Sequence, residues 1–157
     1  MKKTALIILF FTLTAGLAQA QTGRAGGNTG LGVIFGEPTG VSLKLWTSRS
    51  VAFDAAAAWS FTNGGSFQIH ADILFHSFDL FQVEKGRMAL YYGFGGRFKS
   101  STDTEPDARL SLRLPIGISY EFERSPFELF VEIAPMLDLT PKTKGDIGGG
   151  LGFRYYF

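Results

Sequence analysis

The 157-residue chain carries 15 Lys+Arg against 14 Asp+Glu, 20 glycines, 16 phenylalanines and no cysteine. That is one domain's length, and its 18% of charged residues falls below the roughly one quarter usual in soluble domains. A net charge of +1 offers no basic excess for nucleic acid, and the lack of cysteine excludes a disulfide framework, a thiolate zinc site, a cysteine nucleophile and a lipid-anchored start.

Lys2 and Lys3 precede an apolar run at 5–13, and Ala18-Gln19-Ala20 offers a small-x-small cleavage site. This is the pattern of a secretory leader. The run is too short for a spanning helix, which needs about 20 apolar residues. Residues 1–20 are therefore expected to be a signal peptide cleaved after Ala20. Its removal leaves 13 basic and 14 acidic residues, a net charge of −1. Residues 21–28, Q-T-G-R-A-G-G-N, are polar and glycine-rich and read as a disordered lead-in.

From residue 29 the chain alternates with period two. Strand segments are expected at 29–36, 40–47, 51–61, 67–77, 89–99, 108–122, 127–138 and 146–157. In 108–122 the even positions run Leu110, Leu112, Leu114, Ile116, Ile118, Tyr120 and Phe122, while the odd positions are polar, small or proline. A helix would scatter residues spaced by two around its axis. Most connections are rich in Gly, Pro, Asn, Asp and Ser, as turns require. The connection 78–88 differs, because it carries Phe78, Leu80 and Phe81; it either extends its neighbouring strands or lies at an interface. Pro115 removes a ladder donor and predicts a bulge or kink. The hairpin through 62–66 is expected to pair position 61 with 67, and so 60 with 68.

Eight such strands predict an all-β fold, an eight-stranded antiparallel up-and-down β-barrel over 29–157. Four features predict that its apolar face points outward, into a membrane. The other face is too small for a water surface, with Gly30, Gly32, Ala56, Ala58, Gly93, Gly95, Gly117, Ser119, Gly148, Gly150 and Gly152. Its charges balance five against five: Lys44, Arg97, Arg109, Arg113 and Arg154 against Asp54, Asp72, Glu121, Glu128 and Glu132. A closed lumen requires such balance, since an unpaired desolvated charge costs several kcal/mol. Aromatic residues of the apolar face sort into two girdles: Tyr92, Tyr120, Phe122, Phe127, Tyr155 and Phe157 at one rim, Trp59, Phe61, Phe67 and Phe98 at the other. Most segments also reach the roughly 9–11 residues that span a bilayer at a tilt.

The last strand, G-G-G-L-G-F-R-Y-Y-F, alternates Leu151, Phe153, Tyr155 and Phe157 and ends on phenylalanine. It resembles the terminal signal read by the assembly machinery of outer-membrane barrels, which implies a Gram-negative-type outer membrane. The stretches G-E-P-T-G at 36–40, L-Y-Y-G-F-G-G-R at 90–97 and E-I-A-P-M-L-D-L-T-P at 132–141 resemble small bacterial outer-membrane barrels of undetermined function. At fold level the chain is similar to the OmpX and OmpA transmembrane barrels. The resemblance implies architecture and location, and no activity. The outer connections, of three, five, eight and seven residues on the boundaries above, are short for an OmpX-like barrel and weaken an adhesin reading.

No phosphate loop, dinucleotide fingerprint or metal-ligand spacing is present. Glu105, Asp138 and Asp146 place carboxylates in or beside outer connections, but their spacing imposes no cation site. Ser60, His70 and Asp72 form the best enzymatic candidate, since the expected register sets them on one face within reach of each other. Polar groups in a sealed lumen meet without chemistry as well. His76 falls near the opposite rim and reads as structural or interfacial. An eight-stranded interior is just wide enough for side chains, so the charged set reads as a non-conducting core rather than a pore. Its arginines are expected to tie strands together through Glu121, Glu128, Glu132 and Asp72.

The expected protein is thus a monomeric outer-membrane barrel with its termini on the periplasmic side, without cofactor or bound metal. It touches membrane lipid and lipopolysaccharide, is recognised by the assembly machinery through Phe157, and has a structural role or binds a surface or host protein. The alternatives are a lipid-modifying acyl hydrolase or transferase, and a soluble periplasmic carrier resembling a lipocalin.

Overall fold

The computed structural model of the chain describes residues 26–36, 39–60, 65–101 and 107–157, and only the backbone of Ser60 and Asp107. The expected leader, most of the lead-in, Phe61 and Glu105 lie outside the described residues. The strands are β1 (Thr29–Gly36), β2 (Thr39–Trp46), β3 (Val51–Ser60), β4 (Ser66–Ser77), β5 (Arg87–Ser101), β6 (Asp107–Arg113), β7 (Ile116–Glu121), β8 (Phe127–Thr140) and β9 (Lys144–Tyr156). Each segment expected from the alternation is found, with ends within two residues of the strand bounds.

All pairings are antiparallel, and β1 pairs with β9 from Gly30↔Tyr156 to Gly36↔Gly150, closing the sheet. β6 and β7 are two halves of one strand. Both pair with β5 on one side and β8 on the other, so the ring is eight-stranded. The strand parts at Leu114-Pro115, where the ring nitrogen of Pro115 has no hydrogen to donate. The neighbours splint the gap: Gly93 N–H donates to Pro115 O at 2.9 Å, and Leu114 N–H to Pro135 O at 3.0 Å.

The alternation becomes an inverted barrel. Leu31, Phe35, Phe94, Leu112, Ile133 and Leu151 lie on the outside and are each more than half exposed. Lys44, Asp54, Asp72, Arg97, Arg113, Glu128, Glu132 and Arg154 are buried in the lumen. A soluble barrel puts these two sets the other way round. Glycines make room for the large groups of the lumen: a Cβ on Gly117 would strike the Tyr91 ring, and one on Gly152 the Phe130 ring.

The start of β1 and the end of β9 share one end of the barrel, called here the terminal end, with the connections 47–50, 78–86 and 122–126. The connections 37–38, 61–65, 102–106 and 141–143 share the other, called here the outer end. Apart from 61–65 these are shorter than the sequence led us to expect, because β2, β5, β6, β8 and β9 run further into the turns. The hairpin of β3 and β4 also differs. Ser60 pairs with Ser66, and Ala58 with Gln68, so each partner lies two residues from its expected place.

The connection 78–86 is neither pure strand extension nor a free loop. Phe78 packs beneath the buried cluster of Trp46, Ala52 and Tyr156. Arg87 stacks over its ring at 3.9 Å and reaches Glu121 at 3.7 Å.

Candidate functional site

The lumen is the only place where this fold gathers chemistry-bearing side chains among the described residues, and it is built in three levels.

The floor, at the terminal end, is aromatic. The His76 ring lies 4.3 Å from Trp46 and 5.2 Å from Tyr91 between ring centroids. Trp46 Nε1–H donates to the Tyr156 hydroxyl at 3.1 Å, which donates to Glu128 at 2.9 Å. His76 is thus a floor residue, deeper than a rim position.

The middle level is a charge network. Arg154 donates to Glu128 at 2.6 Å, Asp54 at 2.5 Å and Ser42 at 2.9 Å, and lies 3.8 Å over the Phe130 ring. Lys44 donates to Glu128 at 3.0 Å. Arg113 bridges Asp72 and Glu132, and Tyr91 donates to Glu132 at 3.0 Å. Apart from Arg154–Glu128 and Arg113–Glu132, which join paired neighbours, each of these hydrogen bonds joins strands that do not pair with each other, so the network cross-braces the ring. Charge-assisted bonds are the strong ones, and burial raises the cost of breaking them.

The outer level centres on Arg97. It donates to Asp138 at 2.9 Å, Asp146 at 3.0 Å and Ser111 at 3.1 Å, while Ser111 donates to Asp138 at 2.5 Å. Arg109 stands at the mouth, about one third exposed, 3.8 Å from Asp138.

Nine of the ten residues expected in the charged set are buried here, and Arg109 lies at its edge. The partners differ in part from expectation. Glu121 meets Arg87, and Arg97 and Arg109 meet Asp138 rather than a glutamate. Asp138 and Asp146, expected at strand ends beside a connection, lie within β8 and β9, which each extend two residues beyond their expected ends. Counting buried side chains alone, Lys44, Arg97, Arg113 and Arg154 face Asp54, Asp72, Glu121, Glu128, Glu132 and Asp138. The five-against-five balance therefore does not hold inside; Arg87, Arg109 and Asp146 add two positive charges and one negative at the mouths.

The exposed girdle residues lie outside as expected. Trp59 and Phe67 pair at the outer rim with ring centroids 5.7 Å apart. Tyr120 meets Phe122 at 4.9 Å, and Phe127 meets Tyr155 at 5.3 Å, at the terminal rim. Tyr92, Phe98 and Phe157 are also exposed.

The register separates the enzymatic candidates. His70 stands opposite Ala56, and Asp72 opposite Asp54. Ser60 is four residues beyond Ala56 on β3, about 13 Å along the strand at the usual rise. The structure keeps His70 and Asp72 together, at 3.9 Å from Nε2 to Oδ2, and adds Asp54 at 4.0 Å. Period two places Asp54 among the lumen charges, and only the register reveals its meeting with His70.

Fold and lumen together define a closed, inverted eight-stranded barrel. No protein-family model and no curated protein sequence matches the chain. Among solved structures it is similar to the N-terminal beta-barrel domain of Pseudomonas aeruginosa OprF, with a TM-score of 0.67 and 15% sequence identity, over 85% of this chain and 100% of that one. At that identity the likeness speaks for the fold.

Proposed function

We propose that the protein is an integral barrel of a bacterial outer membrane, closed to solutes, with a structural or surface-interaction role and no catalytic activity. The observation that carries this reading is the inversion: a cross-braced charged lumen inside a wall whose large apolar side chains are exposed. Such a wall is stable in hydrocarbon and not in water. The secretory leader pattern and the terminal aromatic strand support the outer membrane as its destination. The aromatic floor supports closure, because it fills the lumen at the terminal end. The register, which places Ser60 four residues beyond the position opposite His70, supports this reading over acyl transfer.

The test is conductance of the purified protein in planar bilayers. The reading expects no unitary steps above those of protein-free bilayers. Regular steps of one size would overturn it in favour of a pore.

A further inference from the structure

We propose that Asp54, His70 and Asp72 form a binding site for one divalent transition-metal ion in the lumen, entered from the outer end. This goes beyond the structural role proposed above and does not depend on the partner of the outer loops.

The argument starts from the ladder. Asp54 and Asp72 are directly opposite each other on β3 and β4, and both face the lumen. Like charges in directly opposed positions repel. Arg154 holds Asp54 through Oδ1, and Arg113 holds Asp72 through Oδ2, the oxygen 3.9 Å from His70 Nε2. Asp54 Oδ2 is left facing His70, and Asp72 Oδ1 has no hydrogen-bond partner. His70 lies on the same face two residues before Asp72, is 7% exposed, and makes no hydrogen bond to any described residue. Its Nε2 points between the carboxylates at 4.0 and 3.9 Å, beyond hydrogen-bond reach of either. A buried imidazole without a partner is rare in a folded protein.

The gap has a size. One ligand atom from each of the three residues lies within 4.8 Å of the others. With two sides near 4 Å and the third at most 4.8 Å, the centre of that triangle is no more than about 2.5 Å from each atom, within a few tenths of an ångström of ordinary zinc–nitrogen and zinc–oxygen bonds. Small side-chain rotations close that difference. One imidazole with two carboxylates suits first-row divalent metals.

Charge sets the affinity. Around the trio, Lys44, Arg97, Arg113 and Arg154 face Asp54, Asp72, Glu128 and Glu132, all buried, so the formal charges balance, Arg97 standing opposite His70 on the ladder. Arg113 and Arg154 orient the carboxylates from behind, as hydrogen-bond partners of metal ligands do. Their positive charge also lowers the affinity below that of an isolated three-ligand site. A cavity of about 240 Å³ runs from His70 past Gln68 and Lys99 to Asp146 near the outer rim, with room for the waters that complete the coordination shell.

The sequence hides the site. His70-x-Asp72 is a two-residue spacing on one strand, and the third ligand comes from the neighbouring strand through a register that composition does not reveal.

The experiment uses the untagged protein purified from membranes in detergent, stripped with EDTA and titrated with Co²⁺. The chain has two histidines, so ¹⁵N-histidine labelling separates them, with His76→Gln as the assignment control. The proposal expects one saturable Co²⁺ per barrel and a large paramagnetic shift at the His70 imidazole. It also expects binding at least tenfold weaker in Asp54→Asn and in His70→Gln. No saturable uptake, or an unshifted His70 resonance, overturns it. A His70 imidazolium at neutral pH without metal uptake also overturns it, by showing that a proton fills the gap. The wild-type spectra decide the matter even where a variant fails to fold.

Discussion

Arg113 shows how much one side chain carries in a sealed lumen. It bridges Asp72 on β4 and Glu132 on β8 and is 5% exposed. Replacing it with alanine leaves two buried carboxylates without their cation. Removing one partner of a buried pair typically costs about 3–5 kcal/mol. We expect Arg113→Ala to lower the urea midpoint of the detergent-folded barrel by that order, with the folded fraction still inserted in membranes. Arg109 provides the contrast. It is about one third exposed and stands 3.8 Å from Asp138, so Arg109→Ala should cost below about 1 kcal/mol, as exposed pairs do. Equal midpoints for the two variants would show that the lumen network does not brace the barrel.

Among the strands, period two gave the faces but left the partners open. A slip of one residue would have turned every side chain of a strand to the other face. The β3–β4 register departs from expectation by two, so Asp54, His70 and Asp72 stay in the lumen while Ser60 loses its place beside His70. The facing residues were therefore legible from sequence, and the pairs were not. The break at Pro115 was legible because proline lacks a donor, whereas its splinting by β5 and β8 depends on long-range pairing. The floor was hidden because Phe78 lies in a connection and Trp46 and Tyr156 at strand ends. Strand order also fixes which connections share a side. The chain has no cysteine, so single cysteines report on topology without background. In intact cells, a membrane-impermeant maleimide should label Thr104→Cys, in the 102–106 connection, and should label Glu123→Cys, at the terminal end, only after the outer membrane is opened. Labelling of Glu123→Cys in intact cells would reverse the orientation.

At the scale of the molecule, the solvent of the outer wall decides between a membrane barrel and a soluble carrier, and one substitution separates them. Ile133 is at mid-length of β8, between Ile116 on β7 and Gly149 on β9, and is 55% exposed. In a soluble barrel a charge at such a site would alter stability by only about 0.5 kcal/mol, as most surface substitutions do. In a bilayer the same position faces hydrocarbon, where an arginine at the midplane costs about 2–4 kcal/mol. The penalty shrinks toward the interfaces, so it should be smaller for an arginine at Phe157, which is exposed at the terminal rim. Ile133→Arg and Phe157→Arg, folded into lipid vesicles and unfolded in urea, should therefore rank with the mid-barrel variant far less stable. If both match the wild type, the apolar wall faces water, and a soluble carrier becomes the better account of the same alternating strands.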